Sequence, residues 1–262
     1  MSDWGQGAVN NSIGWGQGPI NNSIGYGESV KTSWAGDTSV DGLPVGGGFA
    51  DTQSLLYDGI DDYQDVNPFS TIDGLQKVSW SMWIKVDSLP TTTILYHSMH
   101  SGGYVSLAYI QSTGRVIANI QGSGSNWTRT NVGAITIGVW HHVCVVYDET
   151  ISRYSKLKIY VDGVRNNTSN FFAGSLPTGT TMFIGSNSSG ANNLDGNLNE
   201  FAIWGGTALS STEVNEVYNS GSANDLTALS TAPSPSNWYR SENANWLGSY
   251  YETADEMGNG AK

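Results

Sequence analysis

Hydrophobic and polar residues alternate along short segments of the chain, and this period of two predicts β-strands. The first such segment is residues 55–66. The alternation recurs in four later segments: residues 80–84, 139–143, 159–163 and 196–204. Asp58-Gly59 and Asp162-Gly163 end two of the strands with a dipeptide that favours tight turns. With the shorter apolar runs between them, about ten strands are expected, enough for two packed antiparallel sheets.

One segment departs from this period and predicts a short helix at residues 208–221. Ser210 and Glu213 have the spacing of a capping box, and Gly221 can end the helix. Apolar residues follow at positions that share one helix face: Val214, Val217 and Tyr218. We expect this helix to cover one edge or end of the sandwich.

The N-terminal region is built from repeats. Residues 4–14 recur almost unchanged as residues 15–25, and a third, decayed copy follows. Three glycines per unit argue against a helix, because each costs roughly 1 kcal/mol in a helix interior. The units are uncharged but contain an aromatic and two branched aliphatic residues, so we expect an extended arm that docks on a partner surface. A Gly-rich disordered tail is the alternative. The expected anchors are Trp4, Trp15, Tyr26 and Trp34.

These patterns divide the chain into three parts: the N-terminal arm and linker at residues 1–49, the sandwich at residues 50–222, and a C-terminal extension at residues 223–262. We expect the central part to fold by itself. Four of its tryptophans are expected to be buried: Trp80, Trp83, Trp140 and Trp204.

Composition and charge narrow the classes of partner. The formal net charge of −12 argues against nucleic acid and anionic membranes, because both require a positive surface. The single cysteine, Cys144, lies in a strand pattern and is expected to be a buried apolar side chain. The sequence shows neither a signal-peptide pattern nor a run of 18 apolar residues, so we expect no export by that route and no membrane span.

The strand segments resemble the concanavalin A-like, laminin-G-like jelly roll family. That family has the patterns F-D-G-x-D-D-Y-V, W-x-H-V-A-V-V-Y-D, L-Y-V-D-G and G-x-I-D-E-V-R-I-W, and the resemblance covers roughly residues 50–222. It implies an all-β, two-sheet antiparallel jelly-roll sandwich with one short helix, preceded here by the extended arm. Residues 237–246 and 255–260 are similar to segments that join jelly-roll modules in phage structural proteins.

The resemblance also implies calcium as the cofactor, bound at the edge of the sandwich by carboxylate and carbonyl oxygens. The expected metal ligands are Asp58, Asp61 and Glu200. Where the family has a D-E pair, this chain has Asn199-Glu200, which lowers the charge of the site. Side-chain hydrogen bonds that only stabilise a turn are an equally good interpretation of these acids.

Catalysis is not expected. Glycoside hydrolysis requires two carboxylates held about 5 to 10 Å apart, and the E-x-D-x-x-E strand of related glucanases is missing. Asp61 and Asp62 are adjacent, so they point to opposite faces of a strand. The same reasoning prevents His141 and His142 from binding one metal together.

Sugar binding is expected in loops rich in Asn, Ser and Gly that surround aromatic residues, because a ring can stack on a pyranose while amides bind its hydroxyls. The expected residues are Tyr104, Asn126, Trp127, Asn187 and Asn192. Packing of Trp127 on the rim of the sandwich is the alternative.

Together these features predict a non-enzymatic structural protein of a phage virion, made in the host cytoplasm. Its partners are expected to be capsid or tail proteins, further copies of itself, and glycans bound by the jelly roll. A cellular carbohydrate-binding lectin would explain the jelly roll alone. A glycoside hydrolase would need the missing acid pair, and an adhesin would need an export signal.

Overall fold

In a computed structural model, the chain forms two packed antiparallel β-sheets. The structure describes residues 37–39, 51, 53–65, 70–89, 93–100, 103–121, 125–152, 155–170, 175–176, 178, 180–186, 193–241, 245–246, 251–252 and 255–257. The predicted anchors Trp4, Trp15, Tyr26 and Trp34 and the predicted sugar-binding Asn187 and Asn192 lie outside these residues.

The first sheet, sheet A, has eight strands, numbered in chain order: β1 (Asp37–Ser39), β2 (Ser54–Asp58), β4 (Lys77–Val86), β9 (Trp140–Asp148), β10 (Leu157–Val161), β11 (Val164–Arg165), β14 (Asp195–Gly205) and β15 (Asn237–Tyr239). Their spatial order is β1-β2-β14-β4-β9-β10-β11, and β15 pairs with β14. Asp162 and Gly163 form the two-residue turn between β10 and β11, both at positive φ, as the Asp-Gly pair predicts.

The second sheet, sheet B, has seven strands: β3 (Gln64–Asp65), β5 (Thr93–His100), β6 (Gly103–Gln111), β7 (Val116–Gln121), β8 (Ser125–Arg129), β12 (Thr168–Asn170) and β13 (Thr180–Ile184). Their spatial order is β12-β8-β7-β6-β5-β13-β3, so β5 to β8 form the predicted meander. A separate hairpin joins β16 (Asn245–Trp246) to β17 (Tyr251–Glu252).

The hydrophobic core lies between the two sheets. Trp80, Met82 and Ile84 alternate along β4 and are fully buried there, together with Ile110 of β6 and Val116 of β7. This arrangement confirms the predicted two-sheet jelly-roll sandwich.

The outer face of sheet A is covered by a second apolar layer. Helix α1 (Ser211–Tyr218) has the predicted capping box, in which the Ser210 side chain accepts from the Glu213 amide. Its buried residues Val214 and Val217 belong to a cluster that includes Trp204 of β14. The helix therefore covers a sheet face, and not only an edge. Among the described residues, no helix has the length and apolar character needed to cross a membrane.

A β-bulge in β14 brings the C-terminal region into sheet A. β14 pairs with β2 through Asp195–Leu198 and with β15 through Phe201–Ile203, and between them its register with β4 shifts. Glu200 lies at this shift with φ of 54°. Residues 237–239, which fall within the predicted C-terminal extension, are therefore one of the strands of the sandwich.

Three of the four tryptophans expected in the core are buried: Trp80, Trp83 and Trp204. Trp140 is only partly buried, because it lies at the start of β9, where Lys85 is 5.7 Å from its ring centroid. Cys144 is fully buried, as expected, and burial raises the pKa of its thiol.

Candidate functional site

The outer face of sheet B can be identified from β7. Val116, Ala118 and Ile120 belong to the core between the sheets. Because side chains alternate along a strand, Ile117 and Asn119 lie on the opposite, outer face. The residue pairs that β7 forms with β6 and β8 then show on which face the residues of these neighbouring strands lie.

One row of outer-face positions crosses four neighbouring strands. Asn119 pairs with Trp127 on β8 and with Ser106 on β6, and Trp127 in turn pairs with Asn170 on β12. Paired residues of adjacent strands share a face at a separation of about 5 Å. The row therefore places one tryptophan between two asparagines. Among the described residues, the Asn119 carboxamide oxygen is buried and has no hydrogen-bond partner.

The next row contains a positive charge. Arg129 of β8 pairs with Ile117 on β7 and with Thr168 on β12. Arg129 lies two positions after Trp127 and therefore on the same face, about 7 Å away along the strand. Its side chain is half-buried, and Ile117 beside it is 3% exposed.

The predicted sugar-binding residues divide between the two faces. Tyr104 lies two positions before Ser106 on β6, so it shares the outer face with Trp127. Asn126 pairs with Ile120, which lies in the core, so Asn126 is on the other face. Asn119 and Arg129 were missed by the sequence reasoning, although the alternation in β7 and β8 would have indicated both.

The acidic residues after β2 form a compact cluster. One carboxylate oxygen from each of Asp58, Asp61 and Asp62 lies within 4.8 Å of the others. Asp58 Oδ1 accepts from the Ile60 amide at 2.9 Å, and Asp62 Oδ2 accepts from the Asp58 amide at 3.0 Å. These hydrogen bonds stabilise the turn, in agreement with the alternative interpretation. Carboxylate oxygens are also the donors that Ca²⁺ prefers, so the donor type fits the ion, and calcium binding stays a prediction.

The structure does not bring Glu200 to this cluster. Glu200 is 4% exposed, and its carboxylate accepts from Trp238 Nε1 at 2.6 Å and from Arg240 Nε at 3.1 Å. The β14 bulge directs Glu200 toward the C-terminal segment, and sequence spacing alone does not reveal this geometry. Glu200 therefore forms a buried ion pair that attaches the C-terminal segment to sheet A.

Asn199 joins both ends of the described sandwich at the same bulge. Its Nδ2 donates to Asp51 Oδ1 at 2.5 Å and to the Gln53 carbonyl at 2.6 Å, while its Oδ1 accepts from the Ser241 hydroxyl at 2.9 Å. A carboxylate in this position could not donate to Asp51. The asparagine that replaces the family's acid therefore has a structural role here.

The adjacent histidines of β9 lie in different environments, as expected. Thr136 N donates to His141 Nε2 at 3.1 Å, which leaves the proton on Nδ1 for the 2.8 Å contact with Asp162 Oδ2. His142 is buried against the rings of Trp83 and Tyr218, and among the described residues neither of its ring nitrogens has a hydrogen-bond partner. Burial lowers the pKa of His142 to about 4, although the Asp162 charge opposes this shift.

Several solved structures are similar to this chain at low sequence identity. A proposed carbohydrate binding protein from Bacteroides ovatus is 15% identical with a TM-score of 0.54, covering 79% of this chain and 57% of that one. The K499G mutant of NanB sialidase from Streptococcus pneumoniae is 16% identical with a TM-score of 0.50, and the match covers 62% of this chain and 27% of the sialidase. A heptameric SAP-like pentraxin from Limulus polyphemus is 17% identical with a TM-score of 0.47, covering 82% and 90%.

At these identities the similarity concerns the fold, and this chain spans little more than half of the Bacteroides protein and about a quarter of the sialidase. No curated protein matches the sequence. A protein-family model does match residues 58–215, more than half of the chain. On that match, the chain belongs to the Laminin_G_3 family of the concanavalin A-like lectin/glucanases superfamily.

Proposed function

We propose that the outer face of sheet B binds carbohydrate. The observation that carries this proposal is the row in which Trp127 lies between Asn119 and Asn170, with Ser106 beyond. An indole ring can stack on the apolar face of a pyranose, and amides and hydroxyls beside it can bind the sugar hydroxyls. Tyr104, on the same face, supplies a second aromatic ring two strands from Trp127.

Family membership and the Bacteroides ovatus structure, described as a proposed carbohydrate binding protein, support this function. We propose binding without cleavage. The carboxylate of Glu200 is occupied by Trp238 and Arg240, and the Asp58 cluster stabilises its own turn. Neither group is arranged as an acid pair across a sugar-binding cleft.

The test is a glycan-binding measurement on the full chain and on Trp127→Ala. We expect the substitution to weaken binding at least about tenfold, equivalent to about 1.4 kcal/mol, because the stacked ring is lost. Trp140→Ala is the matched control, since Trp140 is a partly buried tryptophan on sheet A. Equal binding by the full chain and Trp127→Ala, or equal losses in both variants, would overturn the assignment of this face.

We further propose that the protein is a structural component of a phage virion, displayed through its N-terminal repeats and contacting capsid or tail proteins. The nearly identical uncharged units with Trp4 and Trp15 support this role. β1, the first described strand, pairs with β2 at the edge of sheet A. The arm therefore precedes an edge strand of sheet A, whereas the proposed sugar-binding face belongs to sheet B.

Deletion of residues 1–36 tests the anchoring role. The shortened chain is expected to keep its melting transition and its glycan binding but to be lost from virions, and Trp4→Ala with Trp15→Ala should reduce incorporation in the same direction. If the shortened chain still occurs on particles at the normal copy number, the arm is not the anchor, and residues 238–246 become the next segment to test.

A further inference from the structure

Five large apolar side chains are exposed to solvent in the part of the chain that the structure describes. They are 46% to 73% exposed: Ile60, Val132, Ile137, Val139 and Val164. Single exposed apolar residues are common on protein surfaces, but a group of them on one surface marks an interaction site. Their distribution over the sandwich therefore matters.

The strand directions place all five at the same end of the sandwich. β2, β14, β4, β9 and β10 pair antiparallel in this order, so β2 and β10 end where β9 begins. Ile60 follows β2, Val164 follows the turn after β10, and the other three residues lie in the connection that leads into β9. These five residues form the apolar end of the sandwich.

The connection from β8 to β9 contributes most of the apolar end. It contains no Asp, Glu, Lys or Arg between Arg129 and His141, although the net charge of the chain is −12. Ile135 in this connection is 2% exposed, and the Gly138 amide donates to the Val86 carbonyl at 2.8 Å. The connection is therefore held against the sandwich while Ile137 stays exposed, and its partner is expected to be an apolar segment.

The N-terminal arm joins the sandwich at the same end. β1 is antiparallel to β2, and its first residue, Asp37, pairs with Leu56, two positions before the end of β2. The order β1-β2-β14-β4-β9 places β9 four steps of about 4.8 Å from β1, or about 19 Å. An extended chain covers about 3.3 Å per residue, so about six residues before Asp37 can span this distance.

The third, decayed copy of the repeat, residues 26–36, has apolar residues at suitable distances. Trp34 lies three residues before Asp37, and a reach of about 10 Å is enough for Ile60 after the neighbouring β2. Val30 lies seven residues before Asp37, and its reach of about 23 Å includes the connection with Ile137. One segment can therefore cover both parts of the apolar end.

We infer that residues 26–36 dock on the apolar end of their own sandwich and cover Ile60, Ile137 and Val139. The covalent link favours the chain's own segment over that of another copy, because it keeps the segment at a high local concentration. The first two units, residues 4–25, remain available for capsid or tail proteins. These two units are nearly identical and uncharged, whereas the third contains Glu28 and Lys31, as expected if it has a different partner. The inference does not depend on the carbohydrate function.

Lys31 provides a natural probe of this contact in the full chain. It is the only Lys or Arg before Lys77, so mass spectrometry identifies the product of trypsin cleavage after Lys31 unambiguously. Trypsin cleaves exposed chain segments, so the cleavage rate follows the undocked population.

We expect Ile137→Asn with Val139→Asn to be cleaved after Lys31 at least about tenfold faster than the unchanged protein, because the apolar surface that holds the segment is lost. Thr136→Asn is the matched control, since Thr136 is an exposed polar residue of the same connection. It should leave the cleavage rate unchanged within about twofold. Thermal melting verifies that each variant folds.

Equal rates in the unchanged protein and the double Asn variant overturn the inference. Fast cleavage of both means that the segment is not docked, and slow cleavage of both means that another contact protects it. Protection that increases with protein concentration also overturns it, because a second copy then supplies the segment.

Trp4→Ala with Trp15→Ala tests the division of the arm, and it should leave cleavage after Lys31 unchanged within about twofold. If it accelerates cleavage as much as the double Asn variant does, the first two units cover the apolar end and the inference is wrong. Sugar binding and incorporation into virions are measured separately, so these results leave both proposed functions to their own tests.

Discussion

The two sheets use their outer faces differently. The outer side of sheet A is covered by helix α1 and the segment that follows it, and Trp204 and Val146 are buried beneath them. On the outer side of sheet B, the strand register places Asn119, Trp127 and Arg129 on one face. Among the described residues, none of the elements that cover sheet A forms strand pairs with sheet B. One outer face therefore adds a second apolar layer to the fold, while the other retains polar and aromatic positions suited to a ligand.

This difference explains why the C-terminal region matters to the fold. Trp238 is 2% exposed and lies in the same apolar cluster as Trp204, and its indole donates to the buried Glu200. Removing the segment would expose apolar surface and leave a buried carboxylate without its ion-pair partner. We expect the free energy of unfolding to depend strongly on helix α1 and the C-terminal segment that cover sheet A. We expect it to depend weakly on the residues of the outer face of sheet B.

The largest effect is expected from a chain that ends at residue 222. It lacks β15, Trp238 and Arg240, and an unpaired buried charge alone costs about 3 to 5 kcal/mol, a large part of the 5 to 15 kcal/mol typical of a domain. We therefore expect residues 50–222 to show no cooperative thermal transition, in contrast to the expectation from sequence. Removal of residues 258–262 alone is the control and should leave the transition intact.

The second prediction applies the same substitution to both outer faces. Trp83 is 4% exposed and contacts His142 and Tyr218, so Trp83→Ala should lower the free energy of unfolding by about 3 to 5 kcal/mol. Trp127→Ala should change it by less than about 1 kcal/mol, as expected for a ligand-facing position. Urea denaturation measures both. Similar losses would show that Trp127 supports the fold and would remove the contrast between the faces.

Much of the architecture followed from sequence because strand alternation and helix capping are local signals. The meander, the Asp162-Gly163 turn and the Ser210–Glu213 capping box all have such signals. No local sequence signal indicates where the Glu200 side chain lies. Its position depends on a β-bulge and on a contact with Trp238, which is 38 residues away in the sequence. The sugar face was predicted only in part, because the prediction relied on loop composition, whereas the register of β7 and β8 determines which residues share a face.

The third prediction concerns the pH dependence of the free energy of unfolding, which we expect to be affected by the packing of helix α1 on sheet A. His142 lies on sheet A against Tyr218 of helix α1, and its pKa is lowered from 6.5 to about 4, mainly by burial. The unfolded chain therefore binds this proton at a higher pH than the folded protein. The contribution of His142 to the free energy of unfolding is therefore complete above about pH 6.5 and is lost as the pH falls toward 4. The total loss is on the order of 3 kcal/mol.

His142→Phe isolates this contribution, because phenylalanine keeps an apolar ring in the site and cannot bind a proton. The free energy of unfolding of the variant, measured by urea denaturation between pH 7.5 and 4, should fall less steeply than that of the unchanged protein. His97→Gln, on sheet B, is the control and should retain the original slope. Parallel pH curves for His142→Phe and the unchanged protein would contradict the prediction.

The smallest effect is expected at Glu216, which attaches residues 230–232 to helix α1. Its carboxylate accepts from the amides of Ser230, Thr231 and Ala232 and from the Ser230 hydroxyl. Burial slightly opposes ionisation, but these hydrogen bonds lower the pKa of Glu216 from 4.5 to about 2. The contribution to stability is therefore present above pH 4.5 and is lost as the pH falls through about 2.

Because Glu216 is only partly buried, we expect Glu216→Gln to lower stability only modestly at pH 7 and to have less effect near pH 2. Amide exchange should accelerate at residues 230–232, whose donors lose the carboxylate, while exchange in the strands of sheet B stays unchanged. Glu213→Gln is the matched control on the same helix, since Glu213 accepts from the Ser210 amide and not from this segment. If Glu213→Gln accelerates exchange at residues 230–232 as much as Glu216→Gln does, the effect comes from the helix as a whole, and the specific attachment through Glu216 is excluded.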